Sequence, residues 1–344
     1  MKSRSYNTFR KRIHQSAATQ GFPVRVMFEL TYRCNFRCAH CYIPLSYRRK
    51  AELSTSEVFS ILDQLKEIGC FYLGFTGGEP FIREDILDIL WYAKKNGFAI
   101  IIYSNGSLID KGVVSELARL RPNKVDITIP AMSKRAWERI TRLPGSHRKV
   151  FRAVDLLRNK GINLGLKTCI LKKNESEIKA IADFAAGLGV GYRLDDMLFP
   201  RLDGSREPSK HQGDRISDRV ATQGVPPKAG NPNAGTLFKC GVGASQMAIS
   251  PRGELKMCLM IDYPKFKIWT AQRNQRTGLK TAWAGLKELA ASIKPDENYQ
   301  CAKCELEPLC RWCPARSWLI SGHKSFTSCD PQSRKRAQAG HRIT

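Results

Sequence analysis

The 344-residue chain is long enough for one large domain or two, and its 42% hydrophobic and 9% aromatic content excludes a disordered or collagen-like polymer. A formal net charge of +26 points to an anionic partner such as nucleic acid, an acidic peptide or a phosphorylated metabolite. No apolar stretch approaches the ~18 residues needed to span a bilayer, and the basic residues 1–12 have no apolar run behind them, so neither membrane anchoring nor export is expected.

Residues 1–23 read as a basic N-terminal extension. From 24 to 201, short β-rich runs alternate with amphipathic helical ones, with strands expected at 24–30, 71–76, 98–104, 124–129, 162–171 and 190–198. Between them, 54–68 puts Val58, Ile61, Leu62 and Leu65 on one helical face, and 175–188 is also helical. The strands recur at the spacing of a βα unit, whose crossovers are right-handed. The fold class is therefore α/β, a partial parallel (β/α)6 TIM-like barrel. Residues 202–236, rich in Asp, Gly, Ser, Pro and Lys, read as a linker or mobile loop. A hairpin is expected over 246–260, turning at Ser250-Pro251-Arg252-Gly253, and a helix over 279–293. Residues 237–333 read as a small cysteine-rich iron–sulfur domain, in which metal supplies what apolar burial cannot, and 334–344 as a basic tail.

Twelve cysteines in a chain with no export signal argue for metal rather than disulfides. Cys34, Cys38 and Cys41 follow the first strand, at the end where barrel enzymes place their chemistry. Three thiolates leave one position open, which suits an iron–sulfur cluster with one free iron. A zinc site completed by His40 or a distant ligand is the alternative. In the fifth strand, alternation puts Asn163, Gly165, Lys167 and Cys169 on the face that looks into the barrel, opposite Leu164, Leu166 and Ile170.

The Cys34-x3-Cys38-x2-Cys41 loop resembles that of the radical S-adenosylmethionine (radical SAM) enzymes, as does Gly77-Gly78-Glu79-Pro80 at the end of the second strand. The resemblance implies a [4Fe-4S] cluster on the three cysteines, the catalytic set, whose open iron binds SAM. Reductive cleavage of SAM would then yield a 5′-deoxyadenosyl radical that abstracts hydrogen from the substrate. It further implies that Gly77, Gly78, Glu79 and Pro80 hold the SAM amine and that His40 lies near the adenine. Ser104 and Asn105 would approach the ribose, and Lys167 would meet the SAM carboxylate, with Asp126 and Thr128 as its fourth-strand counterparts.

Cys240, Gly253-x4-Cys258, Cys301-x2-Cys304-x5-Cys310-x2-Cys313 and Cys329 together resemble the SPASM extension of radical SAM maturases. One departure is the two-residue gap before Cys313, where that extension usually has three. The resemblance implies one or two auxiliary [4Fe-4S] clusters, a distal one on Cys301, Cys304, Cys310 and Cys329 and a proximal one on Cys240, Cys258 and Cys313. Seven thiolates fall one short of two fully ligated clusters. Cys169 is a conceivable eighth ligand, and Cys70 reads as core. A pair of zinc knuckles is the alternative.

The implied activity is modification of a peptide or protein by hydrogen abstraction, leading to a crosslink or an oxidation. It would be fed by a reductant such as ferredoxin or flavodoxin, in the cytoplasm and away from the membrane. Sulfatase maturation is disfavoured because Leu259 stands where those maturases carry an acidic residue. Only 23 residues precede the first strand, so leader-peptide binding is expected of a separate protein. A tetrapyrrole- or other small-metabolite-modifying radical SAM enzyme is the second reading. The third, a zinc-binding protein that interacts with nucleic acid, finds no helix-turn-helix or RRM pattern to support it.

Overall fold

The computed structural model describes residues 12, 13, 15–17, 19–213, 237, 238, 240–263, 266–268, 278–295, 299–306, 310 and 312–341. Strand β1 (Arg25–Thr31) turns Val26, Phe28 and Leu30 into the core, so Met27, Glu29 and Thr31 face the opposite side. β1 pairs in parallel with β2 (Tyr72–Gly77), and the ladder continues through β3 (Ala99–Ser104), β4 (Lys124–Thr128), β5 (Leu164–Cys169) and β6 (Gly191–Asp195), every pair parallel. Helices α1 (Thr55–Glu67), α2 (Ile86–Lys95), α3 (Lys111–Leu120), α4 (Lys134–Thr141), α5 (Ser146–Asn159) and α6 (Ile178–Gly187) supply the outer layer. α1 begins in a capping box between Ser54 and Glu57, and the predicted face of Val58, Ile61, Leu62 and Leu65 is fully buried. These units form the expected partial barrel, and Cys70 is core, as expected.

Four boundaries differ from the sequence expectation. The cysteine-rich region does not build a sheet of its own: β7 (Gln246–Ile249) pairs in parallel with β1. β8 (Glu254–Lys256) and β9 (Phe266–Lys267) then extend the same sheet antiparallel, to the order β6-β5-β4-β3-β2-β1-β7-β8-β9. Helix α7 (Leu279–Ser292) seals this seam, with Leu279 N donating to Gln64 Oε1 at 2.9 Å and Trp283 Nε1 to the Gly21 carbonyl at 2.8 Å. Ile249, Leu255 and Leu286 therefore belong to the same core cluster as Val26 and Ile61.

Residues 202–213 are not linker. Leu202 is buried, its N–H donating to the Tyr42 carbonyl at 3.0 Å, and Gln212 is buried while bonding to Leu198, Ile170 and Asp196. The rest of the expected loop, 214–236, lies outside the described residues. Finally, Ala17 of the N-terminal extension is buried against Val24, Tyr72 and Ala99, and the expected basic tail starts within helix α9 (Pro331–His341), which follows α8 (Pro314–Ile320). Residues 1–11 and 342–344 lie outside the described residues. Among the described residues no helix is long and apolar enough to cross a membrane.

Candidate active site in the barrel lumen

At the carboxyl ends of β1 and β2, two backbones meet too closely for side chains. Gly77 has φ 135°, and a Cβ there would lie 2.1 Å from the Thr31 carbonyl oxygen; a Cβ on Gly78 would lie 2.1 Å from that of Arg33. Gly78 N and Glu79 N donate to those same two carbonyls at 2.7 and 2.9 Å. The glycines are thus required first by the end of β1.

Glu79 is fully buried. Its Oε1 accepts from Ser104 Oγ at 2.8 Å and Phe81 N at 3.2 Å, and its Oε2 from Asn105 N at 2.7 Å. Burial pushes its carboxyl up to about 7, against the pull of these hydrogen bonds. Asn105 in turn donates to Asn35 Oδ1 at 2.9 Å and approaches Cys34 Sγ at 3.8 Å. Glu79 therefore fastens the end of β3 to the cysteine loop.

A cavity of about 590 Å³ opens above these turns and into the lumen. Of the sequence-predicted residues, Cys34, Cys38, His40, Cys41, Gly77, Gly78, Ser104, Asn105, Thr128 and Lys167 line it. Of the residues expected around SAM, three do not. Glu79 and Pro80 are folded into the turn below, and Asp126 is taken up by Lys124 at 2.7 Å.

Burial pushes the Cys34 thiol up to about 11, and Cys38 is raised by burial and by the charges of Cys41 and Cys34. Arg48 braces the loop, donating to the carbonyls of Cys34 at 3.0 Å and Phe36 at 2.6 Å. Among the described residues no three His, Cys, Asp or Glu side chains converge on a single-ion site. Two poorly hydrated thiols beside that of Cys41, whose charges repel one another as thiolates, suit a cationic iron–sulfur core, over which charge is spread. The donor set thus fits the cluster. Burial drops His40 to about 4, leaving a neutral imidazole whose Nδ1 has no partner, an orphaned polar atom in a lumen sized for a nucleoside.

The cysteine-rich region forms one wall of the same cavity through Leu259 and Met260. Beside them, burial and the charges of Cys313 and Cys240 push Cys258 up to about 12, and burial and Cys240 push Cys313 up to about 11. The cysteines expected to hold the proximal cluster thus lie within electrostatic reach of one another. Cys301 and Cys304 share one 3-10 turn, with Cys310 and Cys329 further along the chain. Cys169 lines the lumen and its charge is felt at Cys38, which places it with the N-terminal triplet.

Sequence reasoning missed Arg25, Tyr103 and Arg193, which line the lumen, and the buried Glu29 and Lys256. The period-2 rule applied to β1 and β6 marks Arg25, Glu29 and Arg193 as inward-facing; nothing local marks Lys256.

Residues 28–185 match the Radical SAM superfamily. The chain is 30% identical over 178 residues to the Fe-coproporphyrin III synthase of Methanosarcina barkeri, covering 52% of this chain and 42% of that protein. It is 29% identical over 170 residues to the PqqA peptide cyclase of Gluconobacter oxydans, 49% of this chain and 48% of the cyclase. Identity to the mycofactocin maturase MftC of Mycolicibacterium smegmatis is 26% over 306 residues, 84% of this chain and 77% of MftC. The chain thus spans about half the length of the first two relatives. Among solved structures, Streptococcus suis SuiB bound to its precursor peptide SuiA has a similar fold, with TM-score 0.66 at 16% identity, covering 97% of this chain and 82% of SuiB.

Proposed function

Proceeding from a chain that carries a radical SAM domain, we propose that it is a radical SAM/SPASM enzyme that modifies a peptide or protein by hydrogen abstraction. The observation that carries this reading is the shared lumen: the Cys34/Cys38/Cys41 loop, the Gly77-Gly78 turn and the residues following Cys258 all border one cavity.

Cys34, Cys38 and Cys41 would hold a [4Fe-4S] cluster, which when bound supplies the electron that cleaves SAM to a 5′-deoxyadenosyl radical. The half-buried backbone of Gly77 and Gly78, which borders the cavity, binds the methionyl amine, the neutral His40 ring meets the adenine, and Ser104 and Asn105 face the ribose. Lys167, 5.4 Å from the centre of the Tyr103 ring, takes the SAM carboxylate, with Thr128 beside it in register. Glu79 acts through Asn105 and is a positioning residue. Leu259 and Met260 bring the substrate wall against this site and exclude water. Cys240, Cys258 and Cys313 would hold the proximal auxiliary cluster, and Cys301, Cys304, Cys310 and Cys329 the distal one. A ferredoxin- or flavodoxin-type reductant in the cytoplasm fits an oxygen-sensitive centre of this kind.

The peptide reading draws on the PqqA peptide cyclase, MftC and the peptide complex of SuiB. The tetrapyrrole reading draws on the coproporphyrin synthase and stays as the second, favoured by the basic lumen. The test is anaerobic reconstitution. About twelve irons per chain are expected, and replacement of Cys34, Cys38 and Cys41 by Ala should leave about eight and abolish formation of 5′-deoxyadenosine. Stoichiometric zinc without iron overturns the assignment.

A further inference from the structure

The lumen holds more positive charge than SAM can use. Four cations line it, Arg25, Arg48, Lys167 and Arg193, against two carboxylates, Asp195 and Asp196. Arg48 is spent on the carbonyls of the cysteine loop, and Lys167 stands beside Thr128 in the layer assigned to SAM. Arg193 shares its charge with Asp195, at 3.2 and 3.3 Å. Arg25 differs from all of these. Its guanidinium bonds only neutral groups, Tyr103 OH at 3.1 Å and Met27 Sδ at 4.0 Å, and among the described residues it makes no ion pair.

The sheet gathers these groups around Tyr103, with Lys167 Nζ 5.4 Å from its ring centre. Arg25 opens β1, whereas the cysteine loop follows the end of that strand, about six residues or roughly 20 Å further along. Arg193 is the direct register partner of Lys167, and its charge interacts with Tyr103. Tyr103 thus has Arg25 on its hydroxyl and Arg193 nearby. The neighbouring Asp126 is paired with Lys124 at 2.7 Å, and its charge also reaches Arg193, which leaves Arg25 as the cation with no acidic partner among the described residues. Met27 and Tyr103 settle over bare backbone at Gly74, where a Cβ would lie 2.5 Å from Met27 Sδ and 3.2 Å from the Tyr103 ring. A guanidinium offers five donors in a planar fork that matches a carboxylate, and such pairs gain strength where water is scarce.

Building on the peptide reading above, we propose that Arg25 and Arg193 form a carboxylate subsite around Tyr103 in the lumen. It selects substrates with a carboxylate close to the reacting carbon, from an acidic side chain or from a free C-terminus. Arg25 supplies the fork, Arg193 the second charge, and Tyr103 holds the Arg25 guanidinium in place. SAM is assigned to the cysteine loop and to Lys167, the register neighbour of Arg193, and needs neither arginine.

The test uses the full-length, anaerobically reconstituted protein with saturating SAM and three tripeptide probes, with binding read by calorimetry or saturation-transfer NMR. The probes are acetyl-Ala-Glu-Ala-amide, acetyl-Ala-Gln-Ala-amide and acetyl-Ala-Ala-Ala with a free carboxylate. At least one carboxylate probe should bind tenfold or more tightly than the Gln probe, and which one does identifies the source of the carboxylate. Arg25→Met and Arg193→Gln should each erase that preference while SAM affinity and iron content stay unchanged, and Arg25→Lys should keep part of it. Arg193 lies on the edge strand, so its variant serves if Arg25→Met fails to fold. Equal binding of all three tripeptides overturns the subsite and leaves the peptide reading standing. A tetracarboxylate porphyrin that binds through Arg25 where no tripeptide does upholds the subsite and ends the peptide reading. A preference that survives both substitutions, a parallel loss of SAM affinity, or binding of none of the four probes overturns the proposal.

Discussion

Glu29 of β1 and Lys256 of β8 form an ion pair at 3.0 Å in which neither side chain is exposed. Glu29 also accepts from Tyr42 OH at 2.9 Å and Tyr32 OH at 3.2 Å, and Lys256 donates to the Leu259 carbonyl at 3.2 Å. Tyr42 follows Cys41 and Leu259 follows Cys258, so a single buried network pins the N-terminal cysteine loop to the wall built by the cysteine-rich region.

That network gives a first prediction. Removing one partner strands a buried charge, so Lys256→Met should cost ~3–5 kcal/mol, whereas Glu29→Gln combined with Lys256→Met should recover most of it. Urea unfolding of the three proteins checks this. Burial acts to lower the Lys256 pKa, but Glu29 and Asp262 outweigh it and hold it above the ordinary value. A raised lysine contributes stability fully below its unfolded pKa of ~10.4 and loses it only above, so this contribution should be flat across neutral pH.

Glu79 behaves in the opposite sense. Its carboxyl is raised from 4.5 to about 7, so between those values the unfolded chain has released a proton that the folded chain keeps. Stability should therefore fall as pH rises through this window, by about 3 kcal/mol in all, and level off above it. Glu79→Gln should remove the slope. An amide cannot accept from both Asn105 N and Phe81 N, so the Asn105 turn should loosen and SAM affinity drop about tenfold, with iron content unchanged. Unfolding midpoints at pH 5 to 8 and equilibrium dialysis with SAM measure the two effects, and unaltered SAM binding would confine Glu79 to the fold.

The close backbone approach predicts that Gly78→Ala costs ~3 kcal/mol or more, because its Cβ meets a main-chain carbonyl that cannot swing aside. Gly187→Ala is the matched control. It closes α6 with ordinary φ and no atom within 4 Å of its Cβ, so it should be neutral or stabilising by ~0.5–1 kcal/mol. Thermal unfolding of both variants decides the point.

The six βα units were legible because their signals are local: alternation in β5 and the apolar stripe of α1. The hairpin at Ser250–Gly253 was legible for the same reason. What escaped was pairing at a distance. Nothing within residues 246–249 says that β7 lies beside β1, and a lysine in a short strand reads as solvated until Glu29, 227 residues away in the chain, is placed against it. The cysteine spacing proposes donors, but it could not say that Glu79 turns inward to Asn105 or that the charge of Cys169 reaches Cys38.

The last prediction concerns the division of labour between the two ends of the chain. Cys258 and Cys313 lie beside the lumen wall formed by Leu259 and Met260, whereas the groups proposed for SAM come from the ends of β1 to β5. Cys258→Ala and Cys313→Ala should therefore leave uncoupled cleavage of SAM within a few-fold of the parent protein while turnover of the true substrate is lost. The quantity to compare is 5′-deoxyadenosine formed per modified product, which should rise by at least an order of magnitude in both variants. Because β8 extends the barrel sheet, disruption could spread to the lumen, and the iron count discriminates. Retention of about eight of twelve irons with intact SAM cleavage supports separate roles, whereas simultaneous loss of all iron and of SAM cleavage shows that the seam welds the two regions into one cooperative unit.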